Sequence, residues 1–152
     1  MSSAFPMPPA MARALALARA AAAAGEVPIG AVVVRDGQIV GEGENRNRRD
    51  NDPTAHAEII AIRAAALALE DYRLNGCDLY VTLEPCPMCA GAISHARIAR
   101  LYYGATDPKG GGVEQGARVF AQPQCHHRPD VYGGIGEAEA AALLTDFFAQ
   151  RR

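Results

Sequence analysis

Four residues in this chain have the types and spacing to hold an ion and move a proton beside it. They are His56 and Glu58 in "PTAHAEII", and Cys86 and Cys89 in "LEPCPMCAGA". His56 and Glu58 are two apart at the start of an alanine-rich helical run. On a regular helix such residues point about 200° apart, so they cannot both look sideways at one site. They can share a site only at the mouth of the helix. Cys86 and Cys89 are three apart and fall about 60° apart on one helical face. Pro85 suits the approach to that helix, whose free N–H groups and dipole stabilise thiolates. Taken alone, the cysteine pair is open to three readings: a redox dithiol, half of a zinc knuckle, or coincidence.

Two helix mouths converging on one ion narrow the choice. His56, Cys86 and Cys89 supply three protein ligands for one zinc ion per subunit, leaving the fourth tetrahedral position to water or hydroxide. Glu58 is then free to carry protons, because zinc makes such a water acidic near neutral pH. A closed structural zinc site would instead need Cys77, Cys125 or His126 as its fourth ligand. A thioredoxin-like redox pair would have no use for His56 or Glu58. Cys77 reads as a buried small hydrophobe, and His95 as a packing or helix-end histidine.

The surrounding pattern supplies elements able to place these residues. "IGAVVVRDGQIVGEGEN" reads as two strands joined at Asp36-Gly37, a strong hairpin signal. After the polar loop "NRNRRDNDPT", Asp52 or Thr54 can cap the His56 helix, with Pro53 in its first turn. Ile59, Ile60, Ile62, Leu67 and Leu69 are expected on its buried side. "CDLYVTL" reads as a strand, "CAGAISHARI" as a helix, "RLYYGA" as a strand and "GEAEAAALLTDFFAQRR" as a final helix. Residues 107–130 form a long segment bearing glycine and proline, of the kind that is usually functional or mobile. With a first helix over "MARALALARAAAAAG", where Met11, Leu15, Ala18 and Ala22 keep helical spacing, the order is α-β-β-α-β-α-β-loop-α. That order implies a mixed sheet with helices on both faces. Ligands in such sheets gather beyond the carboxyl ends of strands, where both motif helices begin.

Length and charge set outer limits. The chain has 152 residues, 49% of them hydrophobic and 21% charged, which suits one soluble domain over residues 1–152. Residues 1–9 are expected to be a flexible N-terminal extension. The first helix is read as part of the mature domain and not as a targeting segment, and no apolar run is long enough to span a membrane. Net charge is -2 and the pI is near 6.1, so any polyanion must be held by a local basic patch. Four cysteines, two of them a close pair, suggest metal or redox chemistry over disulfides.

His-Ala-Glu, then residues 59–84, then Pro-Cys-Pro-Met-Cys matches the H-x-E…P-C-x-x-C signature of zinc nucleobase deaminases. Further segments, including "GEVPIGAVVV", "NDPTAHAEIIAIR", "DLYVTLEPCPMCAGAI" and "ALLTDFF", resemble the bacterial tRNA-specific adenosine deaminases over most of the chain. The resemblance implies a three-layer α-β-α cytidine-deaminase-like fold with a mixed five-stranded sheet, a homodimer and a cytoplasmic location. It implies zinc-dependent hydrolytic conversion of adenosine to inosine at the wobble position of a tRNA anticodon stem-loop, of the arginine-accepting kind. It makes His56, Cys86 and Cys89 the zinc ligands and Glu58 the catalytic proton shuttle. Asn45 corresponds to the asparagine that contacts the flipped base, Asp107 to an aspartate beside the ribose, Lys109 to a nearby basic residue, and His127-Arg128 to a substrate-side His-Arg pair. Read without the resemblance, Asn45 can simply end a strand and Asp107 can initiate an Asp-Pro turn.

Departures from the family fall in "GGGVEQGARVFAQPQCHHR", where His126 stands at a position commonly asparagine. Phosphate contacts would rest on Arg46, Arg48, Arg49, Lys109, Arg118, Arg128, Arg151 and Arg152. Two other functions share the zinc motif: deamination of a free base or nucleoside of the guanine or cytosine type, and a non-catalytic zinc-binding interaction protein. An intact Glu58 counts against the last.

Overall fold

Asp36 and Gly37 both take positive φ, 50° and 76°, and close the hairpin that the Asp-Gly pair announces. Its strands are β1 (Gly30–Arg35) and β2 (Gln38–Glu44), paired antiparallel with a bulge between Val33 and Val34. The structure, a computed structural model, describes residues 6–151. Residues 1–5 of the expected extension, and Arg152 among the expected phosphate contacts, lie outside the described residues. Helix α1 (Pro9–Ala23) precedes the hairpin, and α2 (Ala57–Leu69), β3 (Asp78–Leu83), α3 (Pro87–Ala96), β4 (Arg100–Ala105), β5 (Asp130–Tyr132) and α4 (Glu137–Ala149) follow it.

The five strands form one mixed sheet in the order β2-β1-β3-β4-β5. β1 is antiparallel to β2 and β3, while β3, β4 and β5 run parallel. Helices α2 and α3 cover one face over a core that includes Val33, Leu79, Val81, Ile93, Leu101 and Tyr103. Helices α1 and α4 cover the other, around Met11, Leu15, Ala105 and Ala140, with Met7 packed against them. The result is the expected three-layer α/β fold. β5 is the strand that the sequence pattern omits: three residues at the end of a loop carry too little periodicity to read. In its place within 107–130 the pattern shows only loop, and a single short 3-10 turn (Val119–Ala121) punctuates it. Tyr80, Tyr102 and Tyr132 lie in register across β3, β4 and β5 and stack, with ring centroids 4.4 and 5.0 Å apart.

Helix α2 buries a different face from the one its large residues suggest. Ala57, Glu58, Ala61 and Ala65 are the buried residues, whereas Leu67 is 81% exposed and the isoleucines are half-buried. The reason lies in β2. A Cβ at Gly41 would stand 2.4 Å from the Ala61 carbonyl, and one at Gly43 2.3 Å from that of Ala57. Alanines at i, i+4 and i+8 therefore pack on a glycine stripe, and the bulky residues splay to the flanks.

The start of α2 also differs from expectation. Asp52 accepts the N–H and hydroxyl of Thr54, 2.8 Å each, in a turn that precedes the helix. His56 is the N-cap residue, and the Ala57 N–H is satisfied from a distance by Asn45 Oδ1 at 2.9 Å. Replacing Gly43 with alanine should force α2 off β2 and cost about 1–3 kcal/mol, read as a lower urea midpoint at unchanged slope. A Gly43→Ala protein as stable as the parent would mean that this contact is not tight.

Candidate active site and metal centre

His56 has extended backbone, with ψ at 153°, because it caps α2 and does not belong to it. Cys86 caps α3 in the same way, with ψ at 172°. Glu58 and Cys89 are the second and third residues of the two helices. The angular conflict between His56 and Glu58 disappears once one residue stands outside the helix. Both helices start just beyond β-strand ends, so their free N–H groups open toward one place.

There the donor atoms gather. His56 Nδ1 lies 3.6 Å from Cys86 Sγ and 3.4 Å from Cys89 Sγ. Zinc bonds of about 2.0–2.1 Å to nitrogen and 2.3 Å to sulfur give tetrahedral N···S edges of about 3.6 Å, so the spacing fits that ion. Among the described residues, this is the one group of histidine, cysteine and acidic side chains close enough to share a metal. Cys77 is buried at the head of β3, and Cys125 donates its thiol hydrogen to the His127 carbonyl at 3.1 Å. Neither joins the group, and neither does His126.

The Cys89 thiol donates to Cys86, which draws Cys86 down to about 4 and pushes Cys89 up. The same Cys86 sulfur raises His56. Glu58 is 4% exposed, and burial pushes its carboxyl up to about 7 against the opposing pull of its own N–H and His56.

His56 of this group lines a cleft of about 850 Å³. Asn45, Asp107 and Lys109 line it together with His56, and Val27, Ile29 and Leu83 form apolar wall. The α4 side contributes Leu144, Phe148 and Arg151. Of these, Arg151 was expected only as one basic residue among many, and Phe148 was not singled out. Asn45 has its Oδ1 committed to Ala57, and Asp107 Oδ1 accepts the N–H groups of Lys109 and Gly110 at 3.2 and 2.9 Å. Both bland readings are therefore real, and both residues still face the cleft.

His127 and Arg128 do not join this cleft. His127 Nε2 meets the Ile98 carbonyl at 2.6 Å and lines a separate concavity with Ser94 and Cys125. Arg128 donates to the Phe120 carbonyl and, at 3.0 Å, to that of Gln122. Several other arginines are also engaged: Arg46 with Asp50, Arg49 with Glu26 and Glu44, and Arg118 with the Glu114 carbonyl.

Two buried glutamates escaped the sequence reading. Glu26 accepts the N–H groups of Arg48 and Arg49 and the Arg49 guanidinium, and Arg49 in turn reaches the Asn45 carbonyl at 2.6 Å. Glu84 holds the loop after β4 in a similar manner. Apart from the Arg49 guanidinium, their partners are backbone N–H groups far along the chain, which leave no trace in residue type.

The Glu58 carboxyl carries a pH signature in the metal-free protein. Below its ordinary value of 4.5 it is protonated whether folded or unfolded; above about 7 it is charged in both, and burying that charge opposes folding. Relative to Glu58→Gln, the metal-free parent should therefore lose stability as pH rises from 4.5 to 7. Denaturant midpoints at pH 4 and pH 8 check this, and an equal difference at both would contradict it.

The sequence and structure are similar to proteins already characterised. Residues 8–105 match the family described as the cytidine and deoxycytidylate deaminase zinc-binding region. The tRNA-specific adenosine deaminase of Agrobacterium fabrum is 63% identical over 127 residues, 84% of each chain. A solved structure from work on A-to-I editing by tRNA:A34 deaminases at the wobble position superposes with a TM-score of 0.88 at 61% identity, covering 89% of this chain and 98% of that one. A guanine deaminase from Nitrosomonas europaea superposes with a TM-score of 0.81 at 26% identity, covering 95% and 87%. This chain belongs to the zinc-binding cytidine and deoxycytidylate deaminase family.

Proposed function

We propose that this protein deaminates adenosine to inosine at the wobble position of a tRNA anticodon, releasing ammonia. The observation that carries the reading is the buried Glu58 carboxyl two residues from His56, which gathers with Cys86 and Cys89 as a donor set and lines a cleft. The 63% identity to a tRNA-specific adenosine deaminase over 84% of the chain, against 49% over 64% of the chain to a guanine deaminase structure from Bacillus subtilis, supports the tRNA substrate over the free base.

His56 Nδ1 and the sulfurs of Cys86 and Cys89 would hold one zinc ion, which would supply a Lewis acid and make water acidic near neutral pH. The rest falls to the chain. Glu58 accepts a proton from the attacking water and delivers it to N1 of adenine, which makes C6 more electrophilic. The oxygen adds at C6 and carries the second proton of the water; Glu58 takes that proton from the new C6 hydroxyl and passes it to the amine, so that C6=O forms as the C6–N bond breaks and ammonia leaves. Burial suits the carboxyl to this traffic, because it holds protons that an exposed glutamate would release at neutral pH.

Asn45, its Oδ1 tied to α2, offers its NH2 to an acceptor on the base. Asp107, its Oδ1 occupied by its own loop, offers Oδ2 to the ribose 2′-hydroxyl, a group that separates RNA from DNA. Lys109 and Arg151 stand on the rim where phosphates would pass, and the 48%-exposed Phe148 gives a face for stacking. An unpaired anticodon base needs little energy to enter. We infer a homodimer and a cytoplasmic location from the tRNA substrate and the family. His127 and Arg128 lie outside this cleft. Within their own chain they brace the segment after the 3-10 turn.

Purified protein should release ammonia from an arginine-accepting anticodon stem-loop, with inosine at the wobble position, and leave guanine, cytosine and cytidine unchanged. Glu58→Ala should keep its zinc and lose about 10²–10⁴-fold in rate. Turnover of guanine with an untouched stem-loop would sink the reading.

A further inference from the structure

Glu84 follows β3 directly and stands two residues before Cys86. It is 2% exposed, and no basic side chain among the described residues bonds to it. Its Oε1 accepts the N–H of Asp107 at 3.0 Å. Its Oε2 accepts those of Val113, Glu114 and Gln115 at 3.2, 2.8 and 2.9 Å. A buried carboxylate with no cation is costly unless N–H groups replace its lost water. Here every such group comes from one loop.

That loop also lies against the turn that carries Cys86. The Gly112 N–H donates to the Pro85 carbonyl at 2.8 Å, and the Gly112 carbonyl accepts the Val119 N–H at 2.8 Å. A Cβ on Gly112 would fall 2.6 Å from the Pro87 nitrogen, and one on Gly111 would fall 2.7 Å from the Glu84 carboxyl carbon. Gly112 is thus backbone laid on backbone, and Gly111 rests directly on the Glu84 carboxyl. Tyr103 adds a second tie by donating its hydroxyl hydrogen to Glu114.

The clamp joins two parts of the site with different tasks. One side carries Cys86 of the metal centre, and the other carries Asp107 and Lys109 on the cleft rim. We propose that Glu84 is a positioning residue that fixes the rim to the metal-holding turn, and so sets the grip on the polynucleotide around the base more than the rate of chemistry at C6. The proposal rests on the deaminase reading of the site.

Glu84→Gln tests it, since an amide keeps the volume but turns one accepting oxygen into a donor. Either the Asp107 N–H or the Val113–Gln115 group then faces a donor. KM for the stem-loop should rise about tenfold or more while kcat stays within about threefold and zinc content is unchanged. Amide exchange at Asp107 and Val113–Gln115 should quicken. An unchanged KM, or a fall in kcat that tracks lost zinc, overturns the proposal.

Exchange in the parent protein gives a second test that needs neither turnover nor a folded variant. Amides of Val113–Gln115 should exchange within about tenfold of the Ala90 amide, which bonds to the Cys86 carbonyl, if loop and turn open as one unit. Faster exchange than that in the loop overturns the coupling. If the parent never deaminates the stem-loop, the deaminase reading fails, and the exchange comparison still decides the clamp.

Discussion

Helix α2 touches β2 backbone to backbone, and the position of His56 and Glu58 follows from that contact. A helix on a sheet is ordinarily held off by a layer of side chains, and that layer can slide or repack. Alanines against glycines have no such slack, because close packing leaves no alternative rotamers to adopt. The strand end and the helix start are then tied again by Asn45, which follows β2 and caps α2 through its amide. With the depth of α2 set in this way, its first turn reaches the Cys86–Cys89 turn at ligand distance.

Three glutamates are buried on this side of the molecule, and their surroundings give them different uses. Glu26 and Glu84 are surrounded by N–H groups that replace water, so each remains a fixed acceptor and organises one loop at the cleft. Glu58 lacks that saturation. Burial acts on it with little compensation, and its proton remains exchangeable. One residue type thus provides two clamps and one acid–base group, and the count of donated hydrogen bonds separates the roles.

The reactive residues were legible in the sequence because their chemistry demands both type and spacing. A histidine and a glutamate two apart make sense only at a helix mouth, and a close cysteine pair behind a proline makes sense at another. Hydrophobicity misled where contact distance mattered more than side-chain size: Leu67 is exposed while Ala61 is fully buried. A side-chain acceptor for the start of α2 was sought nearby at Asp52 or Thr54, yet it comes from Asn45, twelve residues before Ala57 and just past the end of β2. Nor do α2 and α3 end on glycine. Glu70 and Arg97 take the left-handed conformation there, at φ of 53° and 64°, so no residue type marks the stops. His127 and Arg128 rested on resemblance alone, and their side chains bond to backbone carbonyls that no residue pattern reveals.

The tyrosine stack across β3, β4 and β5 gives the molecule a built-in optical gauge. The chain has no tryptophan, and three of its five tyrosines sit in that stack. Rings this close couple electronically, so the near-ultraviolet circular dichroism is weighted toward the three parallel strands. β5 is the shortest strand and arrives after the long loop, so it is the piece whose docking completes the stack. The signal therefore watches the closing edge of the sheet, while helices α2 and α3, which carry the candidate metal donors, have no tyrosine or phenylalanine and stay dark.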